Sequence, residues 1–162
     1  MRTFILLIIV FQVIGCVKSK EYADTPYLEF RGWSKSTMNQ GRIKEDSVTI
    51  TLFFTDGDGD FGIASNSTGE NVFIKDLRTN EILRQYKAPF VPEEGAGNGI
   101  SGTIKIKMYT TCCIFPPSSG IDPCERPSMF PNNDLPLEIY ITDRAGNKSN
   151  VVQADVLTLN CK

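Results

Sequence analysis

Ser47-Val48-Thr49-Ile50-Thr51-Leu52-Phe53-Phe54 is the stretch that decides the fold. Val48, Ile50, Leu52 and Phe54 fall on one parity, and Thr49, Thr51 and Phe53 on the other. A period of two in a run rich in β-branched and aromatic residues marks a strand with one face in a core. Working outward, the same parity recurs. Leu28 and Phe30 alternate with Glu29 and Arg31. Val72 and Ile74 form a short strand, joined through a turn at Thr79-Asn80 to another at 81–87. Ile104, Ile106 and Met108 alternate with Lys105, Lys107 and Tyr109, and Leu137, Ile139 and Ile141 with Glu138, Tyr140 and Thr142. Val152, Ala154 and Val156 make the last strand, whose frame then slips to Leu157 and Leu159, which predicts a bulge. No segment sustains a helical period. The strands are expected at 27–33, 47–55, 71–77, 81–87, 101–110, 136–142 and 150–159. Seven short strands, each with one apolar face, predict an all-β, two-sheet sandwich over residues 26–162. A chain of 162 residues suits one domain of this kind.

The N-terminus follows different rules. Arg2 precedes an unbroken apolar run from Phe4 to Phe11, continued after Gln12 by Val13 and Ile14. That is short of the roughly 20 apolar residues a membrane span needs, and matches a signal-peptide core. The run ends in Val13-Ile14-Gly15-Cys16, which resembles the lipobox of bacterial lipoproteins. The resemblance implies a signal peptide over 1–15, cleavage before Cys16 and lipidation of Cys16. Residues 16–25 would then be a lipidated tether, and the chain would sit in a bacterial cell envelope, anchored to the outer membrane. Two or three acyl chains suffice for stable anchoring.

Loss of Arg2 with the signal would leave 16 basic and 19 acidic residues, a net charge of −3. No basic patch argues for nucleic acid. There is no histidine, so the commonest general base is missing, and no nucleophile motif is visible. A non-enzymatic role is expected. Beyond Cys16 the chain has Cys112, Cys113, Cys124 and Cys161. An even number in an oxidising compartment predicts two disulfides, with zinc as the competing reading.

Two further segments carry a resemblance. Thr55-Asp56-Gly57-Asp58-Gly59-Asp60-Phe61-Gly62 resembles a segment common in small lipoproteins of Bacteroidetes. Ile141-Thr142-Asp143-Arg144-Ala145-Gly146-Asn147-Lys148-Ser149 resembles the last hairpin of bacterial immunoglobulin-like domains. An immunoglobulin order of strands implies that the loops after 47–55 and after 136–142 emerge at one end of the sandwich. The segment 111–135 and the chain beyond 159 would then meet at the other. A bridge between adjacent Cys112 and Cys113 would be strained, so one should pair with Cys124 and the other with Cys161. At the opposite end, Asp56, Asp58 and Asp60 alternate with glycines, a spacing that can wrap oxygen ligands around a calcium ion. Asp143 and the Asn147 carbonyl are the candidates to complete that shell. The alternative is a glycine-rich turn whose Asp side chains cap backbone N–H groups.

Ile114, Phe115, Met129 and Phe130 place apolar groups on the long segment 111–135. They are candidates for a partner-binding patch, or for a lid folded over the open end of the core. The expected function is a non-catalytic binding or accessory module of the envelope, meeting the membrane through its lipid and a protein through that segment. The alternative is a glycan-binding lipoprotein, similar to accessory starch-binding lipoproteins of Bacteroidetes, with Trp33 and Tyr109 as stacking residues.

Overall fold

The computed structural model describes residues 22–92 and 99–162. The expected signal peptide, Cys16 and the tether as far as residue 21 lie outside the described residues.

The eight-residue alternation extends into the ten-residue strand β3 (Ser47–Asp56). Its even positions, Val48, Ile50, Leu52 and Phe54, are buried. β3 lies between β1 (Tyr27–Trp33) and β6 (Ile100–Tyr109), antiparallel to both. A second sheet runs in the order β5 (Glu81–Tyr86), β4 (Val72–Asp76), β8 (Leu137–Ile141), β9 (Val152–Gln153). Its inward residues Val72, Ile74, Leu137, Ile139 and Ile141 join those of the first sheet in one contiguous core. The fold is therefore all-β and sandwich-like. Each fully buried Leu or Ile contributes about 1.5–3 kcal/mol.

Two short strands were not expected. β2 (Thr37–Asn39) runs parallel to β10 (Leu157–Asn160), and β7 (Asn132–Leu135) runs antiparallel to it. The stretch 136–142 expected as one strand is thus β8 alone, with β7 before it and Pro136 between. Pro136 has no N–H to give to a ladder. Across from it the last strand is interrupted. Ala154 N–H still reaches the Leu137 carbonyl, and pairing resumes at Leu157 with Leu135. Asp155 and Val156 therefore stand opposite the single Pro136, which is the frame slip seen in the sequence. Val156, read from the sequence as apolar and inward, is instead 53% exposed, while Leu157 and Leu159 are buried.

Side chains close the seams between sheets. The Asn150 amide accepts from Leu28 N–H (2.8 Å) and donates to the Leu28 carbonyl (2.9 Å), as a neighbouring strand would. Trp33 Nε1 donates to the Asp155 carbonyl (2.8 Å). On the other seam Arg84 reaches the Thr110 carbonyl and Tyr86 the Lys107 carbonyl.

The two ends of the sandwich differ in chemistry. One carries the disulfides Cys112–Cys124 and Cys113–Cys161. Buried Gln40 knits that end together: its amide nitrogen donates to the Glu125 and Cys161 carbonyls, and its oxygen accepts from Cys113 N–H. The other end carries the loop after β3 and the turn after β8, in contact with each other. Arg144 N–H donates to the Asp60 carbonyl, and Ala145 N–H to Asp60 Oδ2 at 2.9 Å.

Candidate metal centre

The β3 parity that buries Val48 to Phe54 continues one step further and turns the Asp56 side chain inward. Asp56 is fully buried, and neither of its carboxylate oxygens has a hydrogen-bond partner. The loop that follows brings Asp60 beside it. This loop needs a glycine at Gly62, where φ is +90° and a Cβ would lie 2.0 Å from the Pro89 carbonyl oxygen. The turn after β8 supplies buried Asp143. One carboxylate oxygen from each of Asp56, Asp60 and Asp143 lies within 4.8 Å of the others. Calcium binds oxygen at about 2.3–2.6 Å, so ligands on opposite sides of one ion stand about 5 Å apart. The spacing fits an ion held between three carboxylates.

Each acid is held differently. Asp143 is aimed by Asn147, whose backbone N–H donates to Oδ1 (2.7 Å) and whose amide donates to Oδ2 (2.8 Å). The Asn147 backbone carbonyl, expected as a ligand, accepts the Asp143 N–H (3.1 Å) on one of its two lone pairs. Asp60 accepts Ala145 N–H on Oδ2, while its Oδ1 is buried and carries no hydrogen bond. Asp58, also expected in the shell, stands outside the group of three; its Oδ1 faces the Asp60 N–H at 3.4 Å. Arg144, which the motif reading passed over, organises the surroundings. Its guanidinium donates to the carbonyls of Phe61, Gly62 and Val91.

The electrostatics follow from this packing. Burial pushes the Asp56 carboxyl up from the usual 3.8 to about 6, helped by the charges of Asp58, Asp60 and Asp143. The Phe61 N–H draws it down slightly without reaching hydrogen-bond geometry. Asp60 is also raised, by burial first and then by Asp143, against the N–H groups of Ala145 and Arg144. A buried carboxylate with no donor is costly unless it gains a proton or a cation. With a pKa of about 6, a proton covers only about a tenth of the Asp56 population at pH 7. A metal ion would satisfy all three acids at once.

The other expected site residues fall as follows. Phe115 is buried in the core, and Phe130 packs against it with ring centroids 5.6 Å apart. As an exposed patch the four residues are therefore corrected: Phe115 and Phe130 cover the core end, Ile114 is half-buried, and Met129 alone is well exposed, at 71%. The two residues proposed to stack on sugars are engaged within the protein. Trp33 meets Phe30 edge-on, and the Tyr109 ring carries the ammonium groups of Lys44 and Lys107 at 4.9 and 5.2 Å.

Compared with protein families, with curated proteins and with solved structures, the chain has no match.

Proposed function

We propose that this chain is an exported lipoprotein, anchored through lipid on Cys16. Its immunoglobulin-like sandwich serves as a non-catalytic binding or accessory module of the cell envelope. Calcium, held by Asp56, Asp60 and Asp143, stabilises the end of the domain nearest the anchor. The observation that carries the reading is how the cysteines are used. Four of the five pair with one another, and the one left over is the cysteine that ends the apolar N-terminal run. Paired cysteines fit an oxidising compartment, and the remaining one stands at a lipobox. The immunoglobulin-like reading is supported by the exchange of the first strand between sheets. β1 pairs with β3, and β2 then crosses to run parallel to β10.

Labelled palmitate tests the anchor. The wild-type chain should take up label and sediment with membranes, whereas Cys16→Ser should be unlabelled and soluble. An unlabelled wild type, or membrane retention of Cys16→Ser, refutes it. Thermal melting tests the cation: calcium should raise the melting temperature and EDTA lower it. A melting temperature indifferent to both removes calcium from the reading.

A further inference from the structure

We propose that the cation at Asp56, Asp60 and Asp143 also locks the joint by which the N-terminal segment enters the domain, so that calcium sets how firmly residues 22–28 are held. This rests on the cation site proposed above. The argument begins with adjacency. Asp56 ends β3, and the next residue, Gly57, donates its N–H to the Ala23 carbonyl at 2.8 Å. A Cβ on Gly57 would lie 2.4 Å from the Tyr22 carbonyl oxygen and 2.6 Å from that of Ala23. A Cβ on Gly99 would lie 2.9 Å from the Tyr22 ring and 3.0 Å from the Asp56 carbonyl oxygen. Residues 22–23 thus lie directly on the backbone that carries Asp56, where two glycines make room.

The same segment is held from the other side. Asn150, just beyond the Asp143 turn, brackets both backbone groups of Leu28. The entering chain is therefore gripped by the loop after β3 and by the segment that follows the β8 turn. The first adjoins Asp56 and carries Asp60, and the second continues from the turn that carries Asp143. Three carboxylates within 4.8 Å repel one another when no cation sits between them. That repulsion pushes apart the two jaws that hold residues 22–28. A divalent ion reverses its sign and draws the jaws together.

Amide hydrogen exchange on the full chain in detergent tests this, with calcium chloride or EDTA as the only variable. Calcium should slow exchange of the Gly57 and Leu28 amides by about tenfold or more beyond any change in the peptide 111–131 at the disulfide end. Asn150→Ala, which adjoins no proposed ligand and removes both bonds to Leu28, should keep its calcium-binding heat and lose the calcium-dependent protection of Leu28. Asp143→Asn should lose both, and guards against misfolding of either variant through its unchanged protection at 111–131. If calcium binds by calorimetry but the exchange of residues 22–28 does not change, the joint is overturned and the cation site stands. If no calcium binds, both fall.

Discussion

Replacing Asp56 by Asn should reverse its sign according to the calcium supply. In cation-free protein, folded Asp56 holds its proton up to about pH 6, whereas an unfolded chain releases it near 3.8. The folded form therefore binds more protons between those values. Stability is greatest below the unfolded value and declines as pH rises through 6. The full shift corresponds to about 3 kcal/mol, and the unpaired amide that Asn would bury in its place offsets part of it, leaving about 1–2 kcal/mol. Asn is close in shape and carries no charge, so it relieves that penalty. In EDTA at neutral pH, Asp56→Asn should melt about 4–8 °C above wild type. In excess calcium the order inverts, because wild type gains about 2.7 kcal/mol at a hundredfold excess over the dissociation constant and the variant loses a ligand. Paired thermal melts at pH 5 and 7.5, each with and without EDTA, give four comparisons. The EDTA advantage of the variant should shrink at pH 5, where wild-type Asp56 is protonated. A variant less stable than wild type in EDTA at neutral pH refutes the electrostatic argument. Equal stabilisation of both proteins by calcium refutes the assignment of Asp56 as a ligand.

Arg78, nearly buried, pairs with Asp76 and reaches the Cys112 carbonyl and Asn133 Oδ1; Arg78→Ala strips Asp76 of its guanidinium, leaving it the backbone N–H of residue 78, and should cost about 3 kcal/mol in urea melts. Cys113→Ser with Cys161→Ser opens a bridge spanning 48 residues and should cost about 4 kcal/mol, against about 3 for the pair spanning 12. Under limiting reductant, mass spectrometry should find Cys112 and Cys124 alkylated first, because they are partly exposed whereas Cys113 and Cys161 are buried. Asn150→Ala removes both bonds to Leu28 and should lower stability by about 2 kcal/mol in the same denaturant assay.

How much of this was legible depends on where each signal resides. The parity of β3 is local, and it predicted the core positions; the strand was expected to end at 55, so the inward aim of Asp56, one step on, was not read. Asp58 could not be separated from its neighbours that way, because it lies past the end of the strand, where alternation stops. β2 and β7 were hidden for a related reason. Each buries a single apolar residue, Met38 or Leu135, and exists because β10 supplies its hydrogen bonds. The two ends of the sandwich could be assigned by following the direction of successive strands, which is why the acids and the thiols separated correctly. Phe115 and Phe130 could not be placed, because an irregular segment has no period from which to read a face. Gln40 and Asn150 gave no signal at all: each acts through partners more than 70 residues away in the chain.

A sandwich has two open ends, and this one closes them by unlike means. At one end the closure is covalent, and the two bridges together contribute about 7 kcal/mol. At the other, hydrogen bonds join the loop after β3 to the turn after β8, and the proposed cation would add to them by offsetting the repulsion among Asp56, Asp60 and Asp143. The sum is comparable with the whole stability of an ordinary domain, about 5–15 kcal/mol. A reduced, cation-free chain therefore retains a core but little margin to hold it folded. For a chain exported as proposed, that arithmetic is an advantage. The compartment where it is made is reducing, and disulfides form only after it leaves. Folding would then be deferred to the place where oxidation and calcium are both at hand, and the two ends would report separately on them. Oxidation would then set the end bearing Cys113 and Cys161, and the proposed calcium the end where residues 22–28 enter.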